Sequence, residues 1–429
     1  MSPTKKIRTV APNYVPWFIG DTAYQIGNSL IYLPMTLLAY DATGSTATAG
    51  VITAIGGAAR AILALPSGII IDAFNKRKLL WLNAILELIV WGGVIVAFSL
   101  GHFSFTTLVL LALAQGILSG IFGGLTNTLL RFIVPEDHYL VAEQRNITRD
   151  QTIYFVGGPA GAALYGMAAW LPFMGNFLSA LGPLYTAAKL KVDVPGTPNA
   201  LADAIGDDGE GNPVRRWLKF MQVNVAFSLS WIFRHVHIRT WFASEVLFQF
   251  GSFLMLPMIH FQMLASGYSP FAISMVDIFF SVAMIAGGFA APYIGRVIKG
   301  PGIVAISPTL SLAAQVMLLI TGPKPWAFVV ALCVHLILVT SSNSYSGTLV
   351  ALSAPKELIG KCFAGPRVIM AILGPLAALT VGSVLAASSF HTVVLIAAAI
   401  FAASAAIAWL PVVQRLPKAS ELDKIEPLY

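Results

Sequence analysis

Long apolar runs fill most of the chain, and short clusters of Gly, Pro and charged residues separate them. As helices, runs of roughly 20 residues cross a hydrocarbon layer about 30 Å thick while satisfying their backbone polar groups internally. The pattern predicts twelve such helices, at 16–39, 48–71, 79–99, 104–130, 151–169, 171–188, 242–264, 270–294, 301–321, 325–350, 366–387 and 390–411. An even number of crossings puts both termini on one side. The first run has no short h-region followed by a small-x-small site and leads straight into further spans, so no cleavable signal peptide is expected.

Composition agrees with this class. Hydrophobic residues make up 57% of the 429 positions and charged residues 10%, with a mean hydropathy of +0.78. A soluble chain carries about a quarter charged residues. The formal charge of +7 invites a nucleic-acid reading, but the distribution of the positives opposes it. Lys5, Lys6, Arg8, Lys76, Arg77, Lys78, Arg145, Arg149, Arg215, Arg216, Arg296, Lys299, Lys356 and Lys361 fall in the termini or the even-numbered loops, whereas Lys324 stands out alone in the odd-numbered ones. This bias places both termini in the cytoplasm and makes the chain a multi-pass protein of the cell (inner) membrane, with lipid rather than a polyanion as its surroundings. Cys333 and Cys362 suggest neither a disulfide framework nor a metal site.

The chain repeats itself at an offset of about 220 positions, the signature of two related bundles. Gly68-x-x-x-Asp72-x-x-x-Lys76-Arg77-Lys78 closes the second run, and Gly288-x-x-x-Pro292-x-x-Gly295-Arg296 closes the eighth. Pro135 matches Pro355, and a small slip brings Gly158-Pro159 opposite Gly374-Pro375. The expected architecture is an all-α membrane protein of two pseudo-symmetric six-helix bundles, 1–188 and 242–429. A cytoplasmic linker at 189–241 joins them. Its first part is polar and turn-rich, and from Val214 to about Arg239 aromatic and basic residues alternate as in an interfacial amphipathic helix.

Glycines within the runs have a mechanical reading. Gly116 and Gly120 permit close helix approach. Gly158, Pro159 and Gly161, with Gly374 and Pro375 in the second half, combine small contact surfaces with a missing backbone donor and read as hinge or packing positions.

By its motifs the chain resembles the major facilitator superfamily, and more closely its drug and siderophore efflux branch. The resemblance rests on Trp17-Phe18-Ile19-Gly20 with Gly27-Asn28-Ser29, on Gly68 through Lys78 as the signature loop after span two, on Asn146 and Gly158-Pro159-x-Gly161 around span five, and on Trp231 to Arg239 before span seven. It implies alternating access and a gating motif of Gly68, Asp72, Lys76 and Arg77, in which the carboxylate latches the cytoplasmic side and the basic residues engage neighbouring helix ends. Pro292 stands where the second copy would carry its acid, which confines that carboxylate to the first half.

Ionisable groups at membrane depth are costly and mark function or a partner. Arg60 and Glu87 lie at comparable depth in spans two and three, so Glu87 could pair with Arg60 or titrate; depth permits the pair without establishing contact. A proton antiporter needs a carboxylate that takes up and releases its proton during the cycle, and the candidates are Asp277, Glu87, Asp21 and Glu245. Tyr24, Gln25, Asn28, Tyr32, Asn127, Trp241, Gln249, His260 and Asn343 are candidates for lining a substrate cavity, and helical spacing puts Tyr24, Asn28 and Tyr32 on one face and Glu245 with Gln249 on another. His260 and His335 are too isolated to argue a metal. No G-x-x-x-x-G-K-[ST] sequence is present, and no enzymatic activity or cofactor is expected. The reading is a monomeric, proton-coupled exporter of a small organic compound. Its rivals are an importer or facilitator of a small metabolite and a non-transporting receptor or scaffold.

Overall fold

The computed structural model describes residues 11–101, 103–191, 194–196, 213–298, 300–355 and 358–417. All regular secondary structure among the described residues is helical. In chain order the helices are α1 (Tyr14–Thr43), α2 (Thr46–Ala73), α3 (Lys76–Leu100), α4 (Phe105–Phe122), α5 (Leu125–Ile133), α6 (Glu136–Met167), α7 (Leu171–Ser179), α8 (Leu181–Lys189) and α9 (Pro213–Arg234). There follow α10 (Val236–Ala265), α11 (Pro270–Val297), α12 (Pro301–Thr321), α13 (Pro325–Ser353), α14 (Ile359–Cys362), α15 (Ala364–Ala387), α16 (Phe390–Ala408) and α17 (Pro411–Gln414). Nine spans among the described residues are long and apolar enough to cross a membrane.

Several boundaries differ from the hydropathy pattern for local reasons. The run at 104–130 is interrupted at Gly123–Gly124, where glycines weaken a helix, and divides into α4 and α5. The run at 171–188 divides at Ala180, because Pro183 supplies no N–H and its ring crowds the carbonyl four residues back. The helix predicted from 151 starts at Glu136 instead. Its first half is charged, so hydropathy misses it, although nothing in that stretch breaks a helix. The expected amphipathic segment 214–239 is also corrected at its end: His235 adopts an extended backbone (φ −101°, ψ 105°), α9 stops at Arg234, and Val236 already opens α10.

The chain divides into two compact units, each described by itself. The first comprises the described residues within 1–44, 55–210 and 269–275. Here α1 packs against α6, α7 and α8, and α3 packs against α4, α7 and α8. Its core gathers Trp17, Leu118, Phe122, Leu129 and Leu130, and the Trp17 indole N–H donates to the Thr126 carbonyl at 3.1 Å. Because lipid tails are as apolar as Leu, association depends on close packing and hydrogen bonds rather than on hydrophobic transfer. A Cβ on Gly161 would collide with the Leu30 carbonyl of α1, one on Gly182 with the Gly20 carbonyl, and one on Gly116 with the Gly56 carbonyl. These helices therefore touch backbone to backbone.

The second unit comprises the described residues within 45–54, 211–268 and 276–429. α10 packs against α15 and α16, α12 against α13 and α16, and α9 lies on α14 and α15. Ser244 and Ser404 exchange hydroxyl-to-carbonyl bonds of 3.0 and 2.9 Å between α10 and α16. In α9 the inward face carries Asn224, Ser228, Trp231 and Ile232, and the Ser228 hydroxyl donates to the Cys362 carbonyl at 2.6 Å. Leu218, Val223, Phe227 and Phe233 face outward.

Candidate functional site

Charged side chains gather into separate clusters, each inside one unit. In the second unit Glu245 sits on α10, 5% exposed, and Gln249 stands one turn further along the same face. The Gln249 amide donates to Glu245 Oε1 at 2.8 Å and to Asn343 Oδ1 of α13 at 2.8 Å. Ser346, also on α13, donates to Glu245 Oε2 at 3.1 Å. Both carboxylate oxygens are therefore held by neutral donors. They edge a cavity of about 310 Å³ whose walls include Trp241, Phe242, Phe253, Val350, Phe363 and Met370. The Trp241 indole nitrogen is buried and has no hydrogen-bond partner among the described residues, which leaves a donor at this edge.

A second pair in that unit joins α10 to α11. His260 Nε2 lies 3.0 Å from Asp277 Oδ1, with side-chain exposures of 7% and 15%. The two residues were nominated for different roles, His260 for the cavity and Asp277 for the proton, and they form one ion-pairing unit when the ring is protonated.

The first unit holds two clusters. Asp21 of α1 pairs with Arg149 of α6, and Arg149 also reaches Asp150 (Nε to Oδ1, 2.9 Å), the Thr22 hydroxyl (3.2 Å) and Asn146. Its guanidinium lies 4.9 Å from the Phe18 ring centroid and 5.8 Å from that of Trp17. Asn146 in turn donates to Asn127 at 3.2 Å. Beside this cluster a depression of about 560 Å³ runs along α6, lined by Gln144, Arg145, Thr148 and Thr152. In the other cluster Glu87 of α3 accepts from the Tyr24 hydroxyl at 3.2 Å and from the Trp91 indole at 2.6 Å.

The Arg60–Glu87 pair that depth permits is not formed. Arg60 is exposed, Glu87 is 1% exposed and bonded to Tyr24 and Trp91, and no ion pair among the described residues joins them. Equal depth on neighbouring helices does not fix which face each residue occupies. Gln25 and Asn28 are half-buried on α1, while Tyr32 is 53% exposed with its ring 6.3 Å from that of Tyr154. Arg149 and Asn146 were missed as site residues. Arg149 counted only as a topological positive, although Arg145 and Arg149 at helical spacing ahead of Gly157 are the signal that α6 extends backward.

The motif after α2 caps helix ends. Asn75 Oδ1 accepts from the N–H groups of Arg77 and Lys78 at 3.0 and 3.1 Å, which opens α3. Arg77 Nε donates to the Ala187 carbonyl near the end of α8 at 2.7 Å, and Lys76 Nζ to the Asp72 carbonyl at 3.1 Å. The Asp72 side chain is exposed, and no atom stands within 4 Å of a Cβ built on Gly68. Gly158 and Pro159 are buried in the continuous helix α6, and Pro375 lies inside α15, where Gly374 likewise has open space around it. The side chains of Pro292 and Arg296 lie outside the described residues.

A profile of the Major Facilitator Superfamily matches residues 18–365. The chain belongs to that superfamily. It is a multi-pass integral membrane protein. Solved structures show the same fold at low identity. A bacterial homologue of the iron transporter ferroportin in an inward-facing state is 12% identical with a TM-score of 0.66, covering 94% of this chain and 99% of that one. A bacterial homologue of the human lysosomal transporter Spinster is 13% identical with a TM-score of 0.65, over 93% and 96%. The nucleoside transporter NupG is 14% identical with a TM-score of 0.60, over 92% and 98%. No curated protein sequence matches the chain.

Proposed function

We propose that this protein is a proton-coupled secondary exporter of a small organic compound, a monomer of two six-helix bundles that open alternately to either side, with Glu245 as the coupling carboxylate. The observation that carries the reading is the environment of Glu245: a buried carboxylate, bonded to neutral donors only, at the edge of a 310 Å³ cavity. Asp21 has the Arg149 cation beside it, and Asp277 has the His260 ring, which supplies a charge when protonated. Glu245 has no such partner among the described residues. An uncompensated carboxylate at membrane depth costs several kcal/mol and marks a functional group, here one placed at the edge of a cavity where it can exchange a proton or meet a ligand. Glu87 shares the neutral environment but lines neither cavity.

The nine apolar spans, together with α1, α6 and the α7–α8 pair, suit a twelve-crossing arrangement. Superfamily membership supports transport, and the motifs around Trp17 and Trp231 support the efflux branch in particular. The cargo is sought by comparing the compounds retained by cells with and without the protein. With a cargo in hand, purified protein in proteoliposomes is expected to move protons against it. Glu245→Gln is expected to abolish that movement while sparing cargo exchange at equal concentrations. Proton movement undiminished in Glu245→Gln overturns the assignment, and absence of flux for any bound compound overturns transport itself.

A further inference from the structure

The second unit contains a buried polar seam that the cavity does not use. His335 of α13 is 3% exposed and packs beside the mutually contacting rings of Phe248 and Phe401, at centroid distances of 5.8 and 5.6 Å. Its Nδ1 is 2.7 Å from the Ser311 hydroxyl of α12. One turn further along α12, Gln315 is fully buried, and neither its amide nitrogen nor its amide oxygen has a partner among the described residues. Two turns along α13 from His335 is Ser342, 1% exposed, with an unpartnered hydroxyl. One further turn brings Ser346, whose hydroxyl donates to Glu245.

The spacing sets these groups in a line. Positions 335, 342 and 346 differ by seven and four and share a face of α13, as 311 and 315 do on α12. With a rise of 1.5 Å per residue, about 10 Å separates His335 from Ser342 along the axis and about 6 Å separates Ser342 from Ser346. Those separations exceed a hydrogen bond, so a relay between these groups calls for intervening waters. Buried amide and hydroxyl groups without partners are rare, and internal water is their usual complement. A core built only for packing has no use for a buried amide with both ends unmet.

We infer that Gln315, Ser311, His335, Ser342 and Ser346 hold a file of internal waters that conducts protons through the second unit to Glu245. The inference rests on the reading of Glu245 as the coupling carboxylate. Proton balance is simple. One proton enters at the Gln315 end, each water, hydroxyl and the imidazole accepts one and passes one on, and one proton arrives on the Glu245 carboxylate; the reverse passage releases it. Gln315 and Ser311 position the file, and the two nitrogens of His335 let it accept on one side and donate on the other. The groups about the ring are Phe248 from α10, Phe401 from α16 and Ser311 from α12, and no ion pair among the described residues reaches it. Glu245 is the charged group at the end of the line.

The test uses the full-length protein in proteoliposomes, reading cargo-driven proton movement and cargo exchange separately, with thermal unfolding in detergent as a check of folding. Gln315→Met removes polar atoms at nearly constant volume, and Ser342→Val lacks the hydroxyl while matching the shape of the Ser342→Thr control; both are expected to slow proton movement at least about tenfold while exchange and unfolding stay close to those of the unaltered protein. Ser342→Thr keeps the hydroxyl and is expected to retain coupling. If proton movement and exchange decline together in both apolar variants, or if Ser342→Thr fails as Ser342→Val does, the seam is structural and the inference is overturned. If both apolar variants couple normally while Glu245→Gln does not, the seam is overturned and the Glu245 reading stands. If Glu245→Gln couples normally, the Glu245 reading falls and this route falls with it, whatever the seam variants do.

Discussion

Arg149 of α6 reaches Asp21 of α1 across 128 positions of chain, with side-chain exposures of 9% and 1%. Two carboxylates share this guanidinium, so the two partners are not equivalent. Asp21→Asn leaves Arg149 still bonded to Asp150 and Thr22, and the expected loss is that of one charged hydrogen bond, about 1–3 kcal/mol. Arg149→Gln leaves Asp21 buried near Asp150 with no cation, and the expected loss is about 3–5 kcal/mol. Unfolding in detergent with both single variants and the double variant checks the order. Equal losses for the two singles contradict the shared-guanidinium geometry.

Two glycines that the sequence groups as hinge or packing positions are expected to behave differently. Gly161→Ala forces a methyl into the Leu30 carbonyl, and overpacking of this kind costs about 1–3 kcal/mol. Around Gly374 there is open space, so Gly374→Ala is expected to change stability by no more than about 0.5 kcal/mol. A melting shift in Gly374→Ala as large as that in Gly161→Ala would show that α15 is held in a packing other than the one described.

These two residues also show what the sequence discloses. Helix positions were legible because membrane-length apolar runs have few alternatives, and the close approaches at Gly116 and Gly161 follow from residue size. The grouping of Glu245, Gln249 and Asn343 was half legible: spacing joined the first two, but only packing brings α13 against α10. Comparable depth permits an Arg60–Glu87 pair that does not form, because depth along a helix says nothing about its rotation. Arg149 was overlooked because hydropathy ends a span where charge begins, whereas a helix continues as long as its backbone bonds do. His335 and Gln315 are single polar residues in apolar runs, and their burial is a property of three helices together.

Asp277 and Glu245, two carboxylates of the second unit, separate coupling from structure. Asp277 is held by His260, and Asp277→Asn keeps a polar group within reach of the ring. Cargo-driven proton movement is therefore expected to persist in Asp277→Asn, within about threefold of the unaltered protein, whereas Glu245→Gln loses it. The double variant Asp277→Asn with His260→Gln is expected to show an interaction energy of about 0.5–3 kcal/mol in unfolding, as contacting pairs do. Loss of proton movement in Asp277→Asn alone, with Glu245→Gln intact, transfers the coupling role to the His260–Asp277 pair.

The loop after α2 separates capping from gating. Arg77 closes the end of α8 through the Ala187 carbonyl, where a cation also meets the negative end of the helix dipole. Arg77→Ala removes a charged hydrogen bond, and a stability loss of about 1.5–3 kcal/mol is expected. Asn75→Ala removes an N-cap worth about 0.5–2 kcal/mol. Asp72 contributes its backbone carbonyl to Lys76, and its side chain is exposed, so Asp72→Asn is expected to leave unfolding unchanged within about 0.5 kcal/mol. If the carboxylate latches the cytoplasmic side, Asp72→Asn slows transport all the same. Normal transport in a stable Asp72→Asn removes the latch and leaves the motif as a set of helix caps; slowed transport at unchanged stability assigns the carboxylate to a conformation other than this one.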